Sequence, residues 1–260
     1  MRLLLSNDDG VDAEGLRALA EALLPLGEVT VCAPDREQSA TSHSISLHRP
    51  LRIEAMPPWG PKGEIQRFAV DGTPTDSVYV GVNHILKDAR PDLVVSGINK
   101  GANLANDVLY SGTVAAAMEG VALGLPAFAV SLVGRSPQRD YTYAAAFALA
   151  LAPLILQRGL PKGALLNVNV PQGEPQGVRI TKLGTRSYAT NVVQKVDPRG
   201  RAYYWIGGDE RAHEDIAGSD CNAVFDDRCI SVTPLRLDLT QVPLVEELAG
   251  WPIPGVDKPR

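Results

Sequence analysis

Short apolar runs alternate, over the first two-thirds of the chain, with stretches in which apolar residues recur every three or four positions. The apolar runs are bounded by polar or turn-forming residues and predict buried strands at residues 3–5, 29–33, 92–96, 127–132 and 164–170. The helical spacing predicts helices over about 13–24, 75–87 and 140–157, and one that begins near Thr113.

This order of elements indicates the fold class. Strands interleaved with helices are typical of βαβ units, and strands without polar alternation are typical of a sheet covered on both faces. We therefore predict an α/β fold with a doubly wound, mostly parallel, Rossmann-like sheet.

The last third of the chain has a different pattern. Residues 188–196 and 201–206, joined by the turn-forming residues Asp197–Gly200, predict an antiparallel hairpin. A strand over 229–233 and a short helix around 242–249 follow, before a proline-rich tail. Because no internal repeat or low-complexity linker is present, we expect one domain over 1–260, with a hairpin arm at about 185–210 and a C-terminal extension from about 240.

Composition and charge exclude several classes of protein. The 260 residues are 45% hydrophobic and carry a net charge of −5, so global disorder and a main role in binding duplex nucleic acid are both disfavoured. No apolar run approaches the roughly 20 residues that span a bilayer, and the chain turns acidic soon after Leu3–Leu5, so we expect neither a membrane segment nor a signal peptide. Three cysteines without a C-x-x-C pair favour a reducing, cytoplasmic location.

Adjacent carboxylates follow the first predicted strand. In an open parallel sheet, ligands bind beyond the carboxyl ends of the strands, and Asp8 and Asp9 lie at such an end. Two neighbouring carboxylates at a buried strand end repel each other and favour a bound cation. The alternative is an ordinary helix start, where acidic residues are favoured by the helix dipole.

Polar loops follow two further strands. The segment 35–46 contributes Ser39 and Ser42, whose hydroxyls can bind a hard cation or a phosphate, and 97–103 contributes glycines and amides. Residues Ser111–Thr113 open a helix made of small residues, and such a helix start offers free N–H groups to an anion. Taken singly, each could be a mobile surface loop, a turn or an ordinary helix cap.

The motifs that the sequence lacks exclude several kinds of catalytic and cofactor-binding site. The chain has no Walker A, dinucleotide-binding, G-x-S-x-G or H-E-x-x-H motif, and its four histidines are scattered. Oxygen ligands around a hard divalent cation are the chemistry that remains.

Taken together, these segments resemble the survival protein SurE family of metal-dependent nucleotidases. The likeness rests on five blocks in order: 4–10 (LLSNDDG), 33–36 with Ser39, 70–76 (VDGTPTD), 96–103 (SGINKGAN) and 110–120 (YSGTVAAAMEG). Residues 184–186 and 232–235 extend it over nearly the whole chain. In one departure, Ala40 stands where the family loop commonly has glycine, and alanine adopts positive φ only at a cost.

The resemblance implies a 5′-nucleotidase that hydrolyses nucleoside 5′-monophosphates, with 3′-monophosphates as further candidate substrates, and that uses one divalent cation, Mg²⁺ or Mn²⁺. The family's metal ligands correspond to Asp8, Asp9, Ser39 and Asn99. Its phosphate and substrate contacts correspond to Asn103, Ser111, Gly112 and Thr113, and Ser42 is a further candidate. We expect a water nucleophile, with Asp8 favoured over Asp9 as its proton acceptor because Asp8 directly ends the strand.

Two rival functions are weighed against this one. A receiver-type signalling module needs a phospho-acceptor aspartate at the end of the third strand, where this chain has Ser96–Asn99. A phosphatase with an aspartyl-phosphate intermediate usually carries Asp-x-Asp, whereas the chain has Asp8-Asp9-Gly10.

Aromatic and apolar residues on the hairpin arm suggest assembly. Such a surface is too large for a lone hairpin in water, so we expect a homo-oligomer, a dimer or a tetramer, and the resemblance also implies an oligomer. The alternative is an arm that folds back on its own domain. The residues concerned are Tyr188, Val192, Tyr203, Tyr204 and Trp205.

Overall fold

The computed structural model describes residues 1–134, 136–186, 191–207, 212–251 and 253–254. Its strands are β1 (Arg2–Ser6), β2 (Glu28–Pro34), β3 (Ile53–Trp59), β4 (Ile65–Val70), β5 (Leu93–Lys100), β6 (Ala127–Val133), β7 (Ala164–Pro171), β8 (Val178–Ile180), β9 (Asn191–Val196), β10 (Ala202–Gly207) and β11 (Ile230–Arg236). Its helices are α1 (Glu14–Leu23), α2 (Pro74–Val80), α3 (Gly112–Ala122), α4 (Thr142–Arg158), α5 (Asp220–Phe225) and α6 (Val242–Ala249).

One nine-stranded sheet organises the molecule, in the order β3-β4-β2-β1-β5-β6-β7-β11-β8. The six strands from β4 to β7 are parallel to one another, while β3 and β11 run antiparallel to β4 and β7. The predicted α/β class with a mostly parallel sheet is therefore confirmed. The carboxyl ends of β1, β2 and β5 are neighbours, which gathers the loops that follow them.

Apolar side chains cover both faces of this sheet. Leu3 and Leu5 of β1 pack with Leu16 on the face covered by α1 and α4. Leu4 points the other way and packs with Val78 and Val114, from α2 and α3. Because successive strand residues alternate between two buried faces, the run Leu3–Leu5 is continuously apolar. Each such leucine stabilises the fold by roughly 1.5–3 kcal/mol.

Strands β3, β4 and β8 are absent from the predicted elements. β3 lies at the sheet edge, is mostly exposed and contains Pro57 and Pro58, so it shows neither an apolar run nor alternation. An edge position tolerates prolines because one side of the strand needs no backbone donors.

The hairpin arm forms a separate two-stranded sheet, in which β9 and β10 pair antiparallel. This confirms the predicted hairpin, although Tyr188 lies outside the described residues. The predicted helix around 242–249 is also present, as α6. Within the described part of the chain, no helix is both long enough and apolar enough to cross a bilayer.

Candidate active site

A cavity of about 560 Å³ lies beyond the carboxyl ends of β1, β2 and β5. Six of the predicted site residues line it: Asp8, Asp9, Ser39, Asn99, Asn103 and Ser111. They come from four segments of the chain, which the parallel topology brings to one edge of the sheet. Ser42, Gly112 and Thr113 are not among the residues that line this cavity.

Asp8 is the most deeply placed carboxylate of the site. Only 6% of its surface is exposed, and its Oδ1 accepts a hydrogen bond from the hydroxyl of Thr113. Burial raises the pKa of Asp8 to about 6, the Thr113 hydrogen bond opposes this rise, and the neighbouring Asp9 charge adds to it. The carboxylate is thus ready to hold a cation or accept a proton near neutral pH.

Asp9 is held by the backbone of the next strand. The N–H of Lys100 donates to Asp9 Oδ2 at 2.9 Å, which fixes the carboxylate beside the end of β5. Burial raises the pKa of Asp9, the Lys100 hydrogen bond lowers it, and the Glu37 charge raises it further. The two adjacent carboxylates are therefore both desolvated, a situation that a bound cation relieves.

The remaining predicted metal ligands supply neutral oxygen. The Asn99 amide nitrogen donates to Gly101 O at 3.0 Å, so its Oδ1 is the atom left to coordinate. The Ser39 hydroxyl donates to Glu37 Oε1 at 2.6 Å and keeps its oxygen lone pairs for a ligand. Two carboxylates with an amide and a hydroxyl oxygen are a donor set for Mg²⁺ or Mn²⁺. Among the described residues, no group of three or more His, Cys, Asp and Glu offers an alternative metal site.

Asn103 is fixed by a buried polar network. Its amide nitrogen donates to Ser131 Oγ at 2.8 Å, and its backbone N–H donates to Asn169 Oδ1 at 2.9 Å. Its backbone carbonyl accepts from Asn167 and Asn169. The loop after β5 is therefore anchored on β6 and β7, and Asn103 presents a rigid edge to the cavity.

The start of α3 is built around Asp8. Ser111 caps the helix by accepting from Val114 N at 3.0 Å. At Gly112 an added Cβ would lie 2.7 Å from the Cβ of Asp8, so only glycine allows this close approach. Gly112 thus lets the start of α3 approach Asp8, and Thr113 orients the Asp8 carboxylate, while the phosphate contact expected of both residues stays a prediction.

Ser42 contacts the segment before α3, and its role as a substrate contact stays a prediction. Its hydroxyl donates to Leu109 O at 2.7 Å and its N–H donates to Tyr110 O at 3.0 Å, so it ties its loop to the segment before α3. Ala40 has a φ of +57° and Ser42 a φ of +54°. Ala40 therefore adopts the conformation that glycine adopts freely, at a cost of about 1–2 kcal/mol.

Several charged residues in the cavity were not predicted from the sequence. Glu37 and Arg139 line it, and both charges act on Asp9. Arg186 also lines it and forms a buried ion pair with Asp107. Of these residues, only Arg186 lies in a segment that the sequence analysis singled out, since residues 184–186 belong to the segments that carry the family resemblance.

Asp220 joins the last third of the chain to this site. It is fully buried, and its two carboxylate oxygens accept from the backbone N–H groups of Ala105, Gly184 and Cys221 at 2.8–2.9 Å. The Asp220 carboxylate therefore links three separate segments by hydrogen bonds: the loop after β5, the segment leading to Arg186, and α5.

Comparison with known proteins identifies the family. The family model described as "Survival protein SurE" matches residues 3–190. The chain is 61% identical over 260 residues to a 5′-nucleotidase SurE of Anaeromyxobacter dehalogenans, covering 99% of this chain and 98% of that one. It is 58% identical over 259 residues to a 5′-nucleotidase SurE of Myxococcus xanthus, covering 99% and 95%.

A solved structure agrees with these relatives. The crystal structure of the SurE protein from Aquifex aeolicus matches with a TM-score of 0.82 and 39% identity, and the match covers 95% of this chain and 98% of that one. The family model spans the loops that form the cavity, and the curated relatives and the solved structure each cover at least 95% of the chain. The chain therefore belongs to the survival protein SurE family.

Proposed function

We propose that the protein is a metal-dependent 5′-nucleotidase that hydrolyses nucleoside monophosphates to a nucleoside and phosphate. The observation that carries the proposal is the pair of desolvated carboxylates, Asp8 and Asp9, in one cavity with the oxygen atoms of Ser39 and Asn99. The relatives named 5′-nucleotidase support the same activity. The receiver-type alternative is not favoured, since the chain belongs to a different family.

The proposed cofactor is one divalent cation, Mg²⁺ or Mn²⁺, held by Asp8, Asp9, Ser39 and Asn99. When bound, such an ion lowers the pKa of water and stabilises negative charge on phosphoryl oxygens. Since the serine and asparagine ligands are neutral, the ion's charge offsets the two carboxylates, and an anionic phosphate still binds.

The proposed chemistry is attack of water on phosphorus. Asp8 accepts the proton of the water, because it lies just beyond the end of β1 and Thr113 fixes the orientation of its carboxylate. Arg139 lines the same cavity, so its positive charge stabilises the phosphoryl oxygens as negative charge grows on them. Asn103 and Ser111 provide polar contacts to the same group.

Metal removal tests the cofactor. Excess EDTA should abolish phosphate release from AMP, and added Mg²⁺ or Mn²⁺ should restore it. Asp9→Asn should bind the cation weakly, as measured by isothermal titration calorimetry. Asp88→Asn, which changes an exposed carboxylate outside the cavity, serves as the matched control. Full activity in excess EDTA would falsify the metal-dependent mechanism.

Attack by a carboxylate of the enzyme is the alternative mechanism. It would leave a phosphoryl group on Asp8 or Asp9, which rapid acid quenching with labelled AMP would trap. Direct attack by water leaves no label on the protein.

A substrate screen defines the range of the enzyme. Phosphate release is measured from 5′- and 3′-nucleoside monophosphates, nucleoside triphosphates and generic phosphomonoesters. Turnover of the nucleoside monophosphates supports the nucleotidase proposal. Turnover of non-nucleotide esters alone would show that the protein is a phosphatase and not a nucleotidase.

We also propose a single catalytic domain that assembles through its hairpin arm with a second copy of the chain. Tyr204, Trp205 and Ile206 of β10 are 60%, 62% and 92% exposed, and a lone hairpin with such a surface is unstable in water. Light scattering of the wild type should give a dimer or larger, and Tyr204→Ser with Trp205→Ser should shift it toward a monomer. A wild-type monomer at micromolar concentration would contradict this assembly.

The three cysteines support a cytoplasmic location. Cys32, Cys221 and Cys229 are all buried free thiols, which suits a reducing compartment. Fractionation of cells that express the full chain tests this.

A further inference from the structure

The loop that carries Ser39 does not hold its conformation by itself. It spans residues 35–52, between β2 and β3, and two residues just after Ser39 have positive φ: Ala40 at +57° and Ser42 at +54°. Residues other than glycine adopt this conformation only at a cost in free energy, and they keep it only where surrounding contacts determine it. The position of Ser39 in the cavity therefore depends on contacts made by the rest of the loop.

Backbone hydrogen bonds fix the loop on either side of Ser39. The N–H of Gln38 donates to Asp8 O at 2.7 Å, which joins the loop to the residues that follow β1. Ser42, through its hydroxyl and its N–H, donates to carbonyls of the segment before α3. Ser39 thus lies in a short strained turn between two attachment points.

The start of α2 holds the later part of the same loop. The Thr73 hydroxyl donates to Ser44 O at 2.7 Å. The buried carboxylate of Asp76 accepts from Ser46 N–H at 2.8 Å through one oxygen and from Thr73 N–H at 2.9 Å through the other. Segment 70–76, one of the blocks of the family likeness, therefore supports the loop at two points beyond the turn.

His43 and Glu119 connect the loop to the middle of α3. His43 Nε2 lies 2.9 Å from Glu119 Oε2, so the imidazole N–H donates to the carboxylate. Glu119 is buried on a helix made mostly of small and apolar residues, and a buried carboxylate is costly unless it is paired. Neither residue lines the cavity, so the pair acts on the site through the loop.

We propose that the hydrogen bond between His43 and Glu119 positions Ser39 as a ligand of the cation. It holds the loop in the strained turn that places the Ser39 hydroxyl in the cavity with the two carboxylates. Helix α3 then acts on two of the proposed ligands, because its start orients Asp8 and Glu119 holds the loop of Ser39. This inference rests on the proposed metal-dependent function and adds to it two positioning residues outside the cavity.

The affinity for Mn²⁺ in the absence of substrate tests this role without any reaction. Isothermal titration calorimetry of the metal-free protein gives the Kd, and His43→Ala and Glu119→Ala should each raise it about tenfold, because a hydrogen bond to a charged group is lost. His48→Ala, the same change at an exposed histidine of the same loop, should leave the Kd unchanged. Glu119→Ala should still fold, since it removes a buried charge and introduces a good helix former, and circular dichroism checks this.

A Ser39 variant separates a positioning role from a general structural one. Ser39→Ala removes the ligand itself and should raise the Kd at least as much as His43→Ala does. In the Ser39→Ala background, His43→Ala should cause no further rise, because its effect passes through Ser39. Glu119→Gln keeps an oxygen that accepts from the imidazole and should raise the Kd less than Glu119→Ala does. Hydrogen exchange of the amides of residues 38–46 should be faster in His43→Ala than in the wild type.

Three results would overturn the positioning role while leaving the nucleotidase intact. They are an unchanged Kd in both His43→Ala and Glu119→Ala, an unchanged Kd in Ser39→Ala, and a rise caused by His43→Ala that is equally large with and without Ser39. A wild type that binds no Mn²⁺ would instead remove the proposed metal site and this inference with it.

Discussion

Asp8 should make the metal-free protein less stable than it would be with a neutral side chain. Burial raises its pKa from the usual 3.8 to about 6, and that difference corresponds to about 3 kcal/mol of free energy at a pH where the carboxyl is charged. Asp8→Asn removes the charge and keeps an oxygen that accepts the Thr113 hydrogen bond. We therefore expect the free energy of unfolding of the metal-free variant to exceed that of the wild type by up to about 3 kcal/mol at pH 7.5. The midpoint of thermal unfolding should be roughly 6–12 °C higher.

The pH dependence gives the sign of this effect. Between about pH 4 and 6 the folded protein holds a proton on Asp8 that the unfolded chain has released, so the stability of the wild type falls as pH rises through this range. Above about pH 6 the buried Asp8 carboxylate is charged, and its burial lowers the free energy of unfolding by the full amount. Asp8→Asn lacks this group, so its advantage over the wild type should grow from near zero at pH 4 to its full value at pH 7.5.

Thermal unfolding in EDTA, followed by circular dichroism at several pH values, measures both quantities. Adding Mg²⁺ should then raise the midpoint of the wild type and not that of the variant, because the ion binds the folded protein through Asp8. Asp88→Asn controls for the chemical change at an exposed carboxylate. The reasoning is refuted if metal-free Asp8→Asn unfolds at or below the wild-type temperature at pH 7.5.

Three further substitutions test other features of the site. Ala40→Gly should raise the free energy of unfolding by about 0.5–1 kcal/mol in urea titrations, because glycine relieves the positive φ but adds freedom to the unfolded chain. Thr113→Ala should lower kcat/KM by about tenfold, less than Asp8→Asn does, because it removes one hydrogen bond to Asp8 and keeps the carboxylate. Asp220→Asn should cost about 2 kcal/mol in urea titrations, since an amide accepts fewer of the three backbone hydrogen bonds, and an unchanged urea midpoint would count against that role.

Much of the site follows from local sequence and topology. Asp8, Asp9 and Asn99 follow apolar runs, and a parallel sheet brings the ends of neighbouring strands to one edge, so their convergence was predictable. The likeness to a known family added Ser39, because nothing in a long polar loop shows which hydroxyl faces the cavity.

Other parts could not be read from the chain. Thr113 looks like an ordinary residue at a helix start, and its contact with Asp8 depends on how α3 packs against β1. Asp220 lies 115 positions from Ala105, and no local pattern indicates which distant N–H group a buried carboxylate accepts from. Strand β3 was missed because edge strands with prolines lack the periodic signal of buried ones.

The anchoring role of Asp220 has a consequence for the newly made protein. The loop after β5 has its Ala105 N–H satisfied by a residue that the ribosome adds more than one hundred positions later. Until α5 emerges, that loop and the Gly184 segment lack their shared acceptor, and Arg186 has no fixed place beside Asp107. The nascent chain therefore carries its carboxylates early but lacks, until α5 has been made, the contacts that hold the loop after β5 and the Gly184 segment beside the candidate cavity.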